Sequence, residues 1–220
     1  MCPLKQQQLV KADHYNRSGP VRYVLQELGD GKSALINLSI AYEDAPVPAG
    51  YYKADYYQVV LQDDLDVLLV FGKLDHPDSQ RLRNKVEICF PAELFVRQLW
   101  NGSREFQKTL ERDVEKNHLH AVTASDISAR TDKVQTFYSN NVLMVLSAGH
   151  CMMDFFYISA KDLWLKPPKN EAIGIEALVR VITSAALALG FLQGCDKMAK
   201  ELIEKLGIEL EAENAVMESK

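Results

Sequence analysis

Two stretches of this sequence repeat the same order of strand and helix patterns, and this feature most constrains the fold. Each stretch opens with two apolar strand patterns that flank a polar turn. The strand patterns are residues 56–62 and 67–73 in the first stretch and residues 140–146 and 151–157 in the second. A shift of 84 residues, the separation of Phe71 and Phe155, aligns the two hairpins turn on turn. Such internal similarity predicts one small structural unit that occurs twice.

Each hairpin is followed by a third strand pattern that runs directly into an amphipathic helix pattern. The third strands are predicted at 85–90 and 178–183, and Pro91 and Ser184 stand at the two helix starts. Proline is favoured in the first turn of a helix and serine is favoured as an N-cap. Gly207 follows the second helix pattern as a typical C-cap. The sequence therefore predicts an α+β fold with tandem β–β–β–α units, an antiparallel sheet and helices on one face.

A further hairpin is predicted ahead of the repeated units. Residues 21–28 and 33–42 read as strands on either side of Gly29-Asp30-Gly31-Lys32. We therefore predict an N-terminal extension and hairpin at 1–50, a first unit at 51–118, a linker at 119–136, a second unit at 137–208 and a polar tail at 209–220.

Charge and hydropathy narrow the possible partners. Among 220 residues, 25 Lys and Arg stand against 30 Asp and Glu, which gives a net charge of −5. Binding to phosphate backbones uses clustered basic residues, so we expect neither nucleic acid nor an anionic membrane as the main partner. No apolar run reaches the roughly 20 residues that cross a bilayer, and the N-terminus lacks a signal-peptide pattern. These features, together with four cysteines that form no CxxC pair, predict a cytoplasmic protein.

Short motifs in the second unit resemble those of a short bacterial family of unknown function. They are Tyr138-x-Asn140-Asn141-Val142, Asp154-Phe155, Arg180-Val181 and Ala199-Lys200-x-Leu202. The resemblance implies a single β–β–β–α unit and carries over no catalytic residue. The predicted architecture also has a looser topological likeness to the SecB family of export chaperones, which are acidic and oligomeric. That likeness concerns architecture and does not by itself transfer a function.

Several predicted strands are apolar on both faces. A strand that is covered on one side alternates apolar and polar residues, whereas residues 67–71 and 142–146 are almost continuously apolar. The predicted helices cover one face, and the other face is covered by the chain itself, by a second copy, or by an apolar peptide. For an interface with a second copy or another protein we predict Val67, Leu69, Met144, Met152 and Trp164.

The sequence offers few candidates for chemistry. His118-Leu119-His120 has the spacing of two metal ligands on one strand face but no third ligand nearby. Asp63-Asp64-x-Asp66 lacks the glycine and glutamate of a calcium loop and lies where a hairpin must turn. His150 and Cys151 are neighbours on a strand, so their side chains point to opposite faces. We predict no catalytic residue, no metal and no cofactor.

Two functions remain in competition. The leading one is a non-enzymatic protein-interaction or assembly module, in its most concrete form a SecB-like binder of apolar client segments. The rival is an enzyme whose site is assembled from scattered residues near the hairpin turns, with His150, Asp154 and Asp66 as the first candidates. A cavity lined by histidine and aspartate whose carboxylates have raised pKa values would favour the enzyme. A long uncovered apolar groove, or a dimer across the sheet, would favour the module.

Overall fold

The computed structural model describes residues 13–15, 21–28, 32–40, 45–64, 66–75, 82–118, 134–158 and 175–208. The chain divides into two compact units. One consists of Met1–Val47 and Ile158–Glu176, and the other consists of Pro48–Tyr157 and Ala177–Lys220.

The first unit contains a three-stranded antiparallel sheet. Its strands are β1 (Asp13–Tyr15), β2 (Val21–Leu28) and β3 (Lys32–Ile40), in the order β1-β2-β3. Strands β2 and β3 pair from Leu28↔Lys32 to Val21↔Ile40, with a register shift between Val24 and Leu25. The predicted antiparallel pairing of these two strands is confirmed, while the turn residues Gly29, Asp30 and Gly31 lie outside the described residues.

The second unit contains two four-stranded sheets. Its strands are β4 (Tyr51–Lys53), β5 (Tyr56–Leu61), β6 (Asp66–Leu74), β7 (Leu82–Pro91), β8 (Val134–Tyr138), β9 (Asn141–Ser147), β10 (His150–Tyr157) and β11 (Glu176–Ser184). Sheet I has the order β5-β6-β7-β8, and sheet II has the order β4-β11-β10-β9. Strands β5, β6 and β7 are antiparallel and β8 joins β7 in parallel. Strand β4 joins β11 in parallel in the same way.

The first corner between the two sheets is made by the segment that contains β4 and β5. The Ala54 N–H donates to the Ile182 carbonyl in sheet II at 2.9 Å, and the next N–H, of Asp55, donates to the Gly72 carbonyl in sheet I at 3.0 Å. The chain therefore leaves one sheet and enters the other within a single residue. Strands that switch sheets at a bend make the corners of packed sheets.

The second corner is made in the same way by the segment that contains β8 and β9. The Ser139 N–H donates to the Cys89 carbonyl in sheet I, and the Asn140 N–H donates to the Phe156 carbonyl in sheet II. The Ser139 hydroxyl also lies 2.8 Å from that Phe156 carbonyl oxygen. Each sheet thus takes its fourth strand from the segment that leads into the other sheet.

The inward faces of the two sheets and the helices form one hydrophobic core. The rings of Phe71 in sheet I and Phe155 in sheet II lie 6.0 Å apart, and Phe191 lies 5.0 Å from Phe71. The opposite face of sheet I carries a smaller cluster around Val70 and Tyr56. Successive residues of β6 therefore belong to two different apolar clusters, which accounts for its continuous apolar sequence.

The helices begin after Pro91 and Ser184, and the last one ends at Gly207, as these capping residues predict. The helices are α1 (Ala92–Leu94), a π-helical segment (Phe95–Trp100), α2 (Asn101–Lys116) and α3 (Ala185–Leu206). Pro91 immediately precedes α1. The Ser184 hydroxyl caps α3 by accepting from the Leu187 N–H at 3.1 Å, and Gly207 ends α3 in the left-handed conformation with φ 60°.

Helix α3 packs closely on β5 because two glycines face a tyrosine there. A Cβ atom at Gly190 would lie 3.1 Å from the Tyr57 hydroxyl oxygen, and one at Gly194 would lie 3.5 Å from the Tyr57 ring. The ring of Phe191 meets Tyr57 edge-on at 5.9 Å. The small residues let the helix reach the edge strand, and the aromatic pair stabilises the contact.

The predicted α+β class is confirmed, and this unit contains more strands and more sheets than predicted. The structure has two sheets in this unit, each with one parallel pair, where the sequence analysis expected one antiparallel sheet. The difference comes from β4 and β8, two short strands that the repeat pattern does not include. Both stretches do follow the order strand, strand, strand, helix. A common origin of the two stretches, and the domain boundaries drawn from it, stay predictions.

Gly102 is the second residue of α2, although it interrupts the apolar pattern in the sequence. A Cβ atom there would meet nothing within 4 Å. Gly102→Ala is therefore expected to stabilise the protein by about 1 kcal/mol, because glycine loses more backbone freedom in a helix. Urea unfolding followed by circular dichroism measures this change. An unchanged or lower free energy of unfolding would contradict the helical conformation of this residue.

Candidate functional site

Strand β8 is an exposed edge strand of sheet I. It stands last in the sheet order, and no described strand pairs with its other side. Four of its five side chains are exposed, and the fifth, Phe137, packs against the core. Exposed strand edges are templates for pairing with another extended chain. We call residues Val134–Tyr138 with this unpaired side the β8 edge.

The backbone groups of the β8 edge alternate in direction. The Ser139 N–H points to β7, since it donates to the Cys89 carbonyl at 2.9 Å. Alternate residues of a strand direct their N–H and C=O groups to the same side, so Gln135 and Phe137 also face β7. The backbone groups of Val134, Thr136 and Tyr138 therefore face the unpaired side.

Two large apolar side chains stand on the outward surface of the β8 edge. Val134 is 49% exposed and Tyr138 is 67% exposed. Between them, the Thr136 hydroxyl donates to a Glu87 carboxylate oxygen at 3.3 Å, and Lys85 forms an ion pair with Glu87 at 2.6 Å. The edge thus offers apolar contacts at alternating positions beside one satisfied polar cluster.

The predicted interface residues fall into three environments. Val67 and Leu69 are fully buried in the core. Met144 is half-buried against the same core, and Met152 is half-buried on the neighbouring strand. Trp164 lies outside the described residues. Their role in an interface stays a prediction, and it does not enter the proposal below.

The residues of the predicted enzyme site do not form a common constellation. Asp154 is held by a bidentate ion pair with Arg180, with both oxygen–nitrogen distances at 2.6 Å. His150 is exposed at the β9–β10 turn, where its Nδ1 donates to the Ala148 carbonyl at 3.1 Å. Asp66 lies at the start of β6, and burial, with a smaller effect of Asp64, raises the pKa of its carboxyl.

Two other predicted motifs are partly described. Asp63 and Asp64 form the turn between β5 and β6, as predicted, and the Asp66 N–H donates to Asp64 Oδ1 at 3.3 Å. His118 is exposed just after α2 with φ 50°, while Leu119 and His120 lie outside the described residues.

A cleft of about 810 Å³ opens where the end of α2, the β9–β10 turn and the start of α3 meet. Its lining residues are Asp113, Lys116, Asn117, Leu146, Ala148, Gly149, His150, Ser184 and Ala186. We call it the helix-end cleft. It brings His150 together with an aspartate that the sequence analysis did not select, while Asp154 and Asp66 are not among its lining residues.

The three described cysteines are buried thiols with raised pKa values. Burial raises the pKa of Cys151 to about 12 and that of Cys195 well above its usual value. Burial, with smaller effects of Asp66, Glu87 and Asp64, raises the pKa of Cys89. Because the thiolate is the nucleophile, none of these three groups suits covalent catalysis. The described residues also contain no group of three potential metal ligands.

These thiols predict a loss of stability at alkaline pH. The pKa of the Cys151 thiol is higher in the folded state than in the unfolded state. The contribution of this thiol to stability is therefore complete below pH 9, the usual thiol pKa, and is lost as the pH rises toward 12. Above pH 9 the loss for Cys151 is about 1.4 kcal/mol per pH unit. Urea unfolding at pH 8 and pH 10 checks this, and Cys151→Ala should show a shallower pH dependence. Equal slopes for both proteins would contradict the buried thiol.

The motifs that resemble the bacterial family occupy structural positions. Residues 138–142 form the second corner, where Asn140 and Asn141 are buried. Asp154 and Arg180, which are 26 residues apart in the chain, form the ion pair on neighbouring strands. These motifs therefore position the strands of sheet II, and the resemblance itself stays a prediction.

Neither the β8 edge nor the helix-end cleft is among the surfaces predicted from the sequence. Residues 134–136 lie in the predicted linker, although the alternation in Val134-Gln135-Thr136-Phe137 is a short strand signal. Asp113 gave no signal, because a single aspartate near a helix end is common.

The chain matches no protein family, and no curated protein matches it. Within the described ranges, no helix combines the length and apolar character needed to span a bilayer.

Proposed function

We propose that this chain is a non-enzymatic protein-interaction module that binds an extended apolar segment of a client protein along the β8 edge. The observation that carries this proposal is the unpaired side of β8 with Val134 and Tyr138 exposed beside it. The proposal also includes a cytoplasmic location, and it corresponds to SecB-like client binding in its most concrete form.

The chemistry of the β8 edge suits an extended peptide. Backbone N–H and C=O groups of Val134, Thr136 and Tyr138 face outward, so a peptide strand can pair with them. In such strand addition, main-chain hydrogen bonds supply affinity and alternate side-chain contacts supply specificity. Apolar client residues at every second position would then contact the exposed Val134 and Tyr138 side chains.

The length of β8 favours a client peptide over a second copy of the chain. Five residues at about 3.3 Å each give an edge of roughly 16 Å. Stable dimers bury about 1,600 Å² in total, far more than one short strand supplies. A short client segment needs no such area and is expected to bind with micromolar or weaker affinity.

The enzyme alternative has less support. Asp154 is paired with Arg180, and the helix-end cleft contains neither Asp154 nor Asp66. The described thiols are protonated at neutral pH because burial raises their pKa values. The buried thiols therefore do not supply a thiolate nucleophile.

A proline at the β8 edge tests the proposal. The probe is a fluorescein-labelled ten-residue peptide of alternating valine and threonine, and its binding is followed by fluorescence anisotropy. Thr136→Pro removes an N–H that faces the unpaired side, so the fold should persist while peptide affinity falls at least about tenfold. Tyr138→Ser should weaken binding several-fold through the lost apolar contact.

Thr136→Val is the matched control. It removes the hydroxyl contact with Glu87 and keeps the backbone N–H, so peptide affinity should be unchanged. Binding that is indifferent to Thr136→Pro would overturn the proposal. A stable dimer in sedimentation that Thr136→Pro dissociates would also overturn it, because the edge would then serve self-association.

A further inference from the structure

We propose that the helix-end cleft binds a small zwitterion of the free amino acid class, independently of client binding at the β8 edge. The first observation is the Asp113 carboxylate in the last turn of α2. Its Oδ1 accepts from the Asn117 side-chain amide at 3.1 Å, whereas its Oδ2 is buried without a hydrogen-bond partner. A buried acceptor that has lost water and gained no donor is unfavourable.

A ligand ammonium group would relieve this unfavourable state. Asp113 lines the cleft, and turning its carboxylate toward the cleft would give the second oxygen access to a donor from the ligand. An ammonium group supplies up to three N–H donors and a charge opposite to that of Asp113. In the free protein Asp113 Oδ2 therefore lacks a hydrogen-bond donor, and the ammonium group of such a ligand would supply one.

The other groups of the cleft suit a carboxylate. Lys116 lines the cleft, and no ion pair joins it to Asp113 among the described residues. The start of α3 also lies there. Ala186, its second residue, lines the cleft and has an N–H without an acceptor within the helix. A lysine and the N-terminal end of a 22-residue helix both favour an anionic group.

The spacing of the charges matches an α-amino acid. Asp113 and Lys116 are three residues apart on one helix, so their Cβ atoms lie about 5–6 Å apart. An ammonium and a carboxylate attached to the same carbon atom can therefore meet both side chains at once. A volume of about 810 Å³ leaves room for an amino acid side chain beside Leu146.

The experiment titrates the full chain with the twenty free amino acids and follows backbone amide resonances of the cleft by NMR. We expect at least one amino acid to bind. The amine that lacks its carboxylate and the acid that lacks its ammonium should each bind at least about tenfold more weakly. Asp113→Asn should weaken binding of the same amino acid at least about tenfold. Lys116→Gln should weaken it several-fold.

Glu115→Gln is the matched control, since this exposed carboxylate on the same helix is not among the lining residues. It should leave the affinity unchanged. Circular dichroism verifies that each variant is folded. Absence of binding by all twenty amino acids, or equal affinity for wild type and Asp113→Asn, would overturn the proposal. Peptide binding at the β8 edge should be unaffected by Asp113→Asn, so the two proposals fail separately.

Discussion

Leu69→Lys is expected to abolish cooperative folding of the unit that contains sheets I and II. Leu69 is fully buried on the inward face of β6, within the core shared by both sheets. An ammonium group there would lose its hydration without gaining a partner, and the effective cost is several kcal/mol. The free energy of unfolding of typical proteins is only about 5–15 kcal/mol, so this one substitution would remove much of the stability. Circular dichroism and urea unfolding measure the loss.

The neighbouring leucine provides the matched control. Leu68 belongs to the opposite face of β6, where it is half-buried beside Val70. A lysine at position 68 can extend its ammonium toward water, so Leu68→Lys should remain folded with a smaller loss of stability. If both variants unfold alike, the assignment of the two leucines to opposite faces is wrong.

The second large effect is expected from the ion pair between Asp154 and Arg180. The Asp154 side chain is 9% exposed and the Arg180 side chain is 26% exposed. Arg180→Met leaves the carboxylate buried without its main partner, and the expected loss of stability is about 3 kcal/mol. The double variant Asp154→Leu/Arg180→Met should recover much of this loss, because no buried charge then remains.

Urea unfolding of the wild type, both single variants and the double variant gives the coupling free energy. A positive coupling of at least about 1 kcal/mol is expected for a contact of this geometry. Strictly additive effects would show that the two side chains do not stabilise each other.

Local signals in the sequence were sufficient to predict the main strands and helices of the two repeated stretches. The strand at Val67 and the helix that starts after Ser184 both lie where the patterns place them. Hydrophobic periodicity and capping act over a few residues, so a single sequence contains this information. The capping role of Ser184 was predicted from its residue type alone and is confirmed by its contact with Leu187.

Non-local pairing could not be predicted in the same way. Strand β4 has only three residues, and its partner β11 begins at Glu176, more than a hundred residues later. No local pattern specifies which distant strand such a short segment joins. The corners at Ala54 and Ser139 depend on these pairings, so the division into two sheets was also beyond sequence reasoning.

The candidate sites also depend partly on local sequence signals and partly on contacts between distant elements. His150 was selected because it lies near a turn, which is a local signal. Its neighbours in the helix-end cleft, Asp113 and Ser184, come from distant elements and meet only in the folded chain. The β8 edge was overlooked because the strand is five residues long and follows a polar segment that reads as a linker.

The sharing of strands between the sheets has a consequence for biosynthesis. Sheet I is complete only when residues up to Tyr138 have left the ribosome, and β4 has no partner until β11 has been translated. The nascent chain therefore carries incomplete sheets through most of its synthesis, and long-range pairing of this kind makes folding slow. Sheets I and II therefore receive their full set of strands only late in translation.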